Sequence, residues 1–283
     1  MFAYIEILRP VNAVMTVVGV IVAAAIAGVP FNPLHAGIIF AALATFLQLG
    51  AGNTINDYFD REIDKTNKPL RPIPSGRISP QNAKIYAGIL FAVSLALAWL
   101  MNIYAFAFAV FSLIVSYFYS ANLKKTWLGH FVVSYLVASP AIFAALITES
   151  VPATNLLLFG LIFLINTGRE VAKGIEDFKG DKKFHAHTLE IESGIERAAV
   201  VGIVFTLAGI LLSPLPTVYG MRINTNYIYV IIVADIIFLY CAHLLFKSRK
   251  ETLDEAAKIG ARAQKFFKIG MAMAMVAFVA GIL

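Results

Sequence analysis

Charge is scarce in this chain. Only 14% of its 283 residues are Asp, Glu, Lys or Arg, where a soluble domain carries about 25%. With a mean hydropathy of +0.78, that deficit excludes an ordinary water-soluble globular protein. The single cysteine, Cys241, excludes an intramolecular disulfide and any multi-cysteine metal centre; it reads as a small buried apolar side chain. No Gly-rich loop precedes a Lys-Ser or Lys-Thr pair, so the phosphate cradle of an ATPase is missing. Histidine is thin as well: His185 and His187 stand in a polar stretch with no further ligand nearby, which fits a solvated loop better than a zinc site. The N-terminal segment, with Glu6 and Arg9, lacks a cleavage pattern after a short apolar core, so the first helix is expected to be retained.

What the chain has is long apolar runs, 59% of residues being hydrophobic. A spanning helix needs about 20 mostly apolar residues, and nine stretches qualify, near 11–28, 36–57, 83–100, 103–120, 128–147, 153–172, 196–213, 226–246 and 264–283. The expected fold is all-α, a polytopic membrane protein of about nine transmembrane helices around a central cavity opening to the cytoplasm, in a single domain over 1–283. With the N-terminus cytoplasmic and the C-terminus outside, all 23 Lys and Arg except Arg222 fall on the inner side, the bias that sets membrane topology. The net charge of +6 is therefore no sign of a nucleic-acid partner. External connections such as Val29 to Pro33 and Met101-Asn102 are short. Two internal ones, about 58–82 and 173–195, are long and polar, so the chemistry is expected to face the cytoplasm.

Two acidic rows stand at the ends of these runs. On a helix Asn53, Asp57, Asp60 and Asp64 recur at steps of four, three and four and share one face. Asp177 and Asp181 lie one turn apart, with Glu170 and Lys173 close to the same face. Asn53-Thr54 and Asn166-Thr167 open the two stretches 113 residues apart, which raises the alternative of two similar halves, about 1–125 and 126–283. Carboxylates at a membrane face are costly unless they bind something, and clustered ones are tolerated mainly around a cation. Oxygen donors with no His or Cys favour Mg²⁺, which keeps waters and takes phosphate oxygens. Basic residues for a phosphate stand nearby in Lys68, Arg71, Arg77, Lys124, Lys125 and Lys173, and the prolines of Arg71-Pro72-Ile73-Pro74-Ser75-Gly76 stiffen the segment holding Arg71. Asp235, inside the eighth run, reads either as functional or as a hydrogen-bonded helix contact.

Taken together, Asn56-Asp57-x-x-Asp60-x-x-x-Asp64, Arg71-Pro72-Ile73-Pro74-Ser75-Gly76, Tyr119-Ser-Ala-Asn-Leu-Lys124-Lys125 and Asp177-x-x-x-Asp181 resemble the UbiA-type intramembrane prenyltransferases over most of the chain. Tyr119 stands five residues before Lys124, where many members have four. The wording around Arg169 to Asp181, with Asn67-Lys68-Pro69-x-Arg71-Pro72, is most similar to the branch that forms the second ether bond of archaeal lipids. The resemblance implies an Mg²⁺-dependent transfer of a geranylgeranyl group from its diphosphate to the free hydroxyl of geranylgeranylglyceryl phosphate. It implies metal and diphosphate work for Asn53, Asp57, Asp60, Asp64, Asp177 and Asp181. Phosphate or substrate contacts fall to Lys68, Arg71, Tyr119, Lys124 and Lys173, acceptor contacts to Arg9 and Asn12, and the general base to Asp64 or to the diphosphate itself. Partners are a prenyl diphosphate, a lipid-like acceptor and membrane lipid, with no nucleic acid and no obligatory protein. An aromatic acceptor, as in quinone or chlorophyll precursors, would leave the metal site looking alike. A secondary transporter would gather its polar groups at the bilayer midplane instead.

Overall fold

A computed structural model describes residues 2–30, 35–218 and 223–283. Arg222, the Phe31, Asn32 and Pro33 connection, and the side chain of Asn67 lie outside the described residues. Among the described residues all regular structure is helical. Eight helices are long and apolar enough to cross a membrane, and a ninth apolar helix, Asn12–Ile26, is shorter. The chain is thus an all-α polytopic membrane protein. It divides into two compact units, Met1–Ala121 with Ser139–Pro152, and Asn122–Ala138 with Ala153–Leu283.

The first unit begins with a short helix α1 (Phe2–Glu6) and continues through α2 (Pro10–Ile26), α3 (Ala36–Asn67), α4 (Pro80–Met101) and α5 (Ile103–Ala121). At 1.5 Å per residue, the 32-residue α3 is about 48 Å long, well beyond a hydrocarbon core of about 30 Å. The helix therefore runs on past the apolar run near 36–57, through Asp60 and Asp64 to Asn67, so the first residues counted with the polar 58–82 connection are helix. The helix need not stop where apolarity stops, because polar side chains support it locally: Asn56 donates to Asp60 at 3.0 Å and Lys65 pairs with Glu62 at 2.7 Å.

The true connection, residues 68–79, is compact. The Ser75 N–H donates to the Arg71 carbonyl, Gly76 N–H to Ile73, and Ile78 N–H to Pro72. Gly76 takes the left-handed φ of 76° that this reversal needs. Ile73 and Ile78 pin the loop into a core with Ile7, Leu8, Ile55 and Phe91. Ser79 then caps α4 by accepting from the Asn82 N–H at 3.1 Å, with Pro80 at the first helical position.

The second unit holds the start of α6 (Gly129–Ala145), then α7 (Ala153–Lys183), α8 (Leu189–Ser193), α9 (Ile195–Leu212), α10 (Leu215–Val218), α11 (Asn226–Ser248) and α12 (Leu253–Ile282). Like α3, α7 and α12 run on as helix past the apolar stretch, and the 173–195 connection reduces to a turn and the short α8. Small residues let these helices approach closely. A Cβ at Gly260 of α12 would lie 2.7 Å from the Ala172 carbonyl oxygen of α7.

Candidate active site

In the first unit four of the expected site residues meet. Asp57 and Asp64 are buried, at 3% and 4% exposure. Arg71 bridges them: its Nη1 donates to Asp64 Oδ2 at 2.6 Å and to Asp57 Oδ1 at 3.1 Å. Arg9 Nη2 donates to the same Asp57 oxygen at 2.6 Å. Asn53 donates to the Leu8 carbonyl at 3.1 Å, and so holds the segment that presents Arg9.

The approach of Arg9 is itself unusual. It has φ 54° and ψ 64°, a left-handed backbone that few non-Gly residues adopt, and it turns the chain directly into Pro10 and α2. Two further contacts fix this corner. Arg77 makes a two-point ion pair with Glu6, at 2.5 and 2.9 Å, and donates to the Leu70 carbonyl at 2.5 Å. The hydrogen bond from Arg77, with its positive charge, holds the Glu6 carboxyl below its ordinary value. The N-terminal segment and the Arg71 loop are thereby stitched together.

The donor chemistry fits a hard divalent cation. Asp57 and Asp64 are seven residues apart, about 10 Å along the helix axis, and among the described residues no three His, Cys, Asp or Glu side chains group closely enough to hold a metal alone. An Mg²⁺ bound here would use one or two of Asp57, Asp60 and Asp64 and take its other oxygens from water and phosphate. Arg9 and Arg71 share the Asp57 carboxylate, and Arg71 alone also reaches Asp64.

In the second unit, α7 carries a graded polar face. Asn166 and Thr167 are fully buried, Glu170 is buried, Asp181 is half-buried, and Lys173 and Asp177 are exposed. Arg169 donates to Asn166 at 3.0 Å and forms an ion pair with Glu170, while Lys173 lies 3.9 Å from Glu170. Asn166 donates to Ser134 at 3.1 Å. The two Asn-Thr pairs behave alike: Thr54 and Thr167 each donate to the carbonyl one turn back, both at 2.8 Å. Lys124 sits half-buried in a 3-10 turn, Leu123–Lys125, and Tyr119 half-buried near the end of α5.

Of the other expected residues, Asn12 and Lys68 adjoin the first cluster through the backbone, the Asn12 N–H donating to the Arg9 carbonyl at 3.0 Å and the Lys68 N–H to the Asp64 carbonyl at 2.8 Å. Asn12 and Lys68 are exposed. His187 pairs with Glu192 at 2.5 Å on the surface. Asp235 accepts from Ser213 at 2.6 Å, joining α11 to the end of α9. Sequence reasoning missed His130 and Glu190, both buried; their 60-residue separation leaves no local signal.

The UbiA prenyltransferase family model matches residues 13–276. A digeranylgeranylglyceryl phosphate synthase of Methanosphaera stadtmanae is 39% identical over 282 residues, covering 99% of both chains. A solved structure described as giving insights into digeranylgeranylglyceryl phosphate synthase in membranes is similar at a TM-score of 0.81 and 31% identity, over 99% of this chain and 98% of that one. A UbiA homolog from Archaeoglobus fulgidus bound to GPP and Mg²⁺ shares the fold at a TM-score of 0.62 and 19% identity, over 96% and 99%. With the acid rows and arginines already in place, these likenesses make the chain a membrane prenyltransferase, and it belongs to the UbiA prenyltransferase family.

Proposed function

We propose that the chain transfers a geranylgeranyl group from geranylgeranyl diphosphate to the free hydroxyl of geranylgeranylglyceryl phosphate. The observation that carries the reading is Arg71 set between buried Asp57 and Asp64, with Arg9 on the same carboxylate. Metal-type oxygens and phosphate-type cations occupy one place, which suits a metal-bound diphosphate. The acceptor is supported by the likeness to relatives named for that product, and Mg²⁺ by the homolog bound to GPP and Mg²⁺.

In the reaction, the allylic C–O bond breaks with its electron pair leaving on the diphosphate, and the acceptor oxygen forms the new C–O bond as its proton departs. Mg²⁺, when bound, neutralises charge developing on the leaving oxygens. Arg71 and Arg9 exchange carboxylate for phosphate and stabilise the same charge. Lys124 and Lys173 are assigned phosphate contacts, and Asp177 and Asp181 metal and diphosphate work. Asp64, once released by Arg71, takes the hydroxyl proton or leaves it to the diphosphate. Asn53 orders the Arg9 segment and Asp60 completes the row, while Lys68, Tyr119 and Asn12 flank substrate. We also place the N-terminus in the cytoplasm, on the side that holds every Lys and Arg but Arg222, and read 1–283 as one functional domain in the cell membrane.

The test uses purified protein in detergent with geranylgeranyl diphosphate, Mg²⁺ and a panel of acceptors. Ether formation on geranylgeranylglyceryl phosphate, with none on 4-hydroxybenzoate, is expected. The reverse preference would overturn the acceptor assignment and favour an aromatic prenyltransferase.

A further inference from the structure

We propose that Glu190, seated over Gly174 and joined to His130, is a positioning residue that holds the Lys124 turn beside the acidic end of α7. The inference rests on the reading above, in which Lys124 binds the prenyl diphosphate. Glu190 is 0% exposed, and both its carboxylate oxygens lie 2.9 Å from His130 Nε2. It reaches that depth because α7 has no side chain at Gly174: a Cβ there would collide with the Glu190 carboxyl.

From His130 the path to Lys124 is one residue long. A Cβ at the preceding Gly129 would lie 3.0 Å from the carbonyl oxygens of Leu123 and Lys124 and 3.1 Å from the Lys124 Cα, so the turn rests directly on that glycine. A second tie runs through the backbone. The Ala186 N–H donates to the Asp181 carbonyl at 3.0 Å, and the next residue, His187, donates to the Lys125 carbonyl at 2.7 Å. Consecutive residues of one strap thus fasten the Asp181 end of α7 to the lysine turn, and Glu190 anchors the strap. An apolar side chain would bury α8 as well. A carboxylate gripping one imidazole admits a single register, which is what placement of a distant cation requires.

The alternative is plain packing, and kinetics separate the two. A packing role lowers the folded, active fraction and so lowers apparent kcat, leaving KM alone. Positioning through Lys124 raises KM for geranylgeranyl diphosphate specifically. Expected for Gly174→Ala, which displaces the carboxylate, is about a tenfold rise in that KM with kcat within threefold and acceptor KM unchanged; Glu190→Ala should match it. Glu190→Gln, which keeps volume and a hydrogen bond to the imidazole, should recover most of the loss. In a Lys124→Ala background, itself raising the same KM, Gly174→Ala should add nothing, because both act through one contact.

If Lys124→Ala raises KM while neither Gly174→Ala nor Glu190→Ala moves it, the positioning role is overturned and the proposed function stands. If Lys124→Ala leaves KM unchanged, the role given to Lys124 fails and the inference falls with it. Should Gly174→Ala not fold, Glu190→Ala against Glu190→Gln carries the same comparison.

Discussion

The guanidinium of Arg71 lies 2.6 Å from the carboxylate of Asp64, seven residues earlier, and the same nitrogen donates to Asp57. One cation thus neutralises two buried acids from a loop stiffened by Pro72 and Pro74. Arg71→Lys should fail to replace it, because one Nη1 already serves both acids and an ammonium lacks the guanidinium's remaining N–H donors for a planar two-point grip on phosphate. We expect kcat/KM to fall about 100-fold, from the charge stabilisation such groups supply. Arg71→Ala should in addition lower stability by up to about 3–5 kcal/mol, as when one partner of a buried pair is removed. Steady-state assays and thermal unfolding in detergent check both.

Because those acids are already held by arginine, Mg²⁺ alone should stabilise the protein little. Mg²⁺ with inorganic diphosphate should raise Tm by several degrees, since the anion draws Arg9 and Arg71 off Asp57 and Asp64 and supplies the missing oxygens. EDTA should abolish transfer and leave the protein folded. In Asp57→Asn the joint shift should disappear. A full shift from Mg²⁺ alone would contradict a site completed by the substrate.

Much of this site was legible before any coordinates. The 4-3-4 spacing from Asn53 to Asp64 gives one face because helical geometry fixes it, and α3 obeys. The span ends at 57 and 172 were read too early because apolar windows close where charge begins, whereas a helix continues on Asn56–Asp60 and Glu62–Lys65 contacts. Partners were not legible. Arg9 meets Asp57 across 48 residues and His130 meets Glu190 across 60, and neither residue type nor spacing announces such pairs. Gly174 carries no mark in sequence either; its role comes from what leans on it.

Glu6 offers a pH test away from the membrane spans. Its carboxyl is held below 4.5 by the hydrogen bond from Arg77, so the pair contributes stability above that value and loses it as pH falls through the lowered pKa. The Tm gap between wild type and Glu6→Gln should therefore be present at pH 7 and shrink below pH 4.5. The gap should be small, since the pair is solvent-exposed, and should narrow further in high salt.

Asp235 is the carboxylate most open to a functional reading on sequence grounds, and its contact gives a different one. It accepts from Ser213 at 2.6 Å, while Tyr227 donates to the Ser213 carbonyl at 2.7 Å, so the three fasten the start of α11 to the end of α9. Asp235→Asn keeps an acceptor for Ser213, and prenyl transfer should stay within twofold of wild type. Asp235→Leu removes this tie but leaves the Ser213 hydroxyl its bond to the Ile210 carbonyl at 2.9 Å, so it should cost about 0.5–1.5 kcal/mol, seen as a lower unfolding temperature. Metal dependence and both KM values should be unchanged in either variant, because nothing in the contact touches the acid rows. A collapse of kcat in Asp235→Asn with normal Tm would instead place Asp235 in the chemistry.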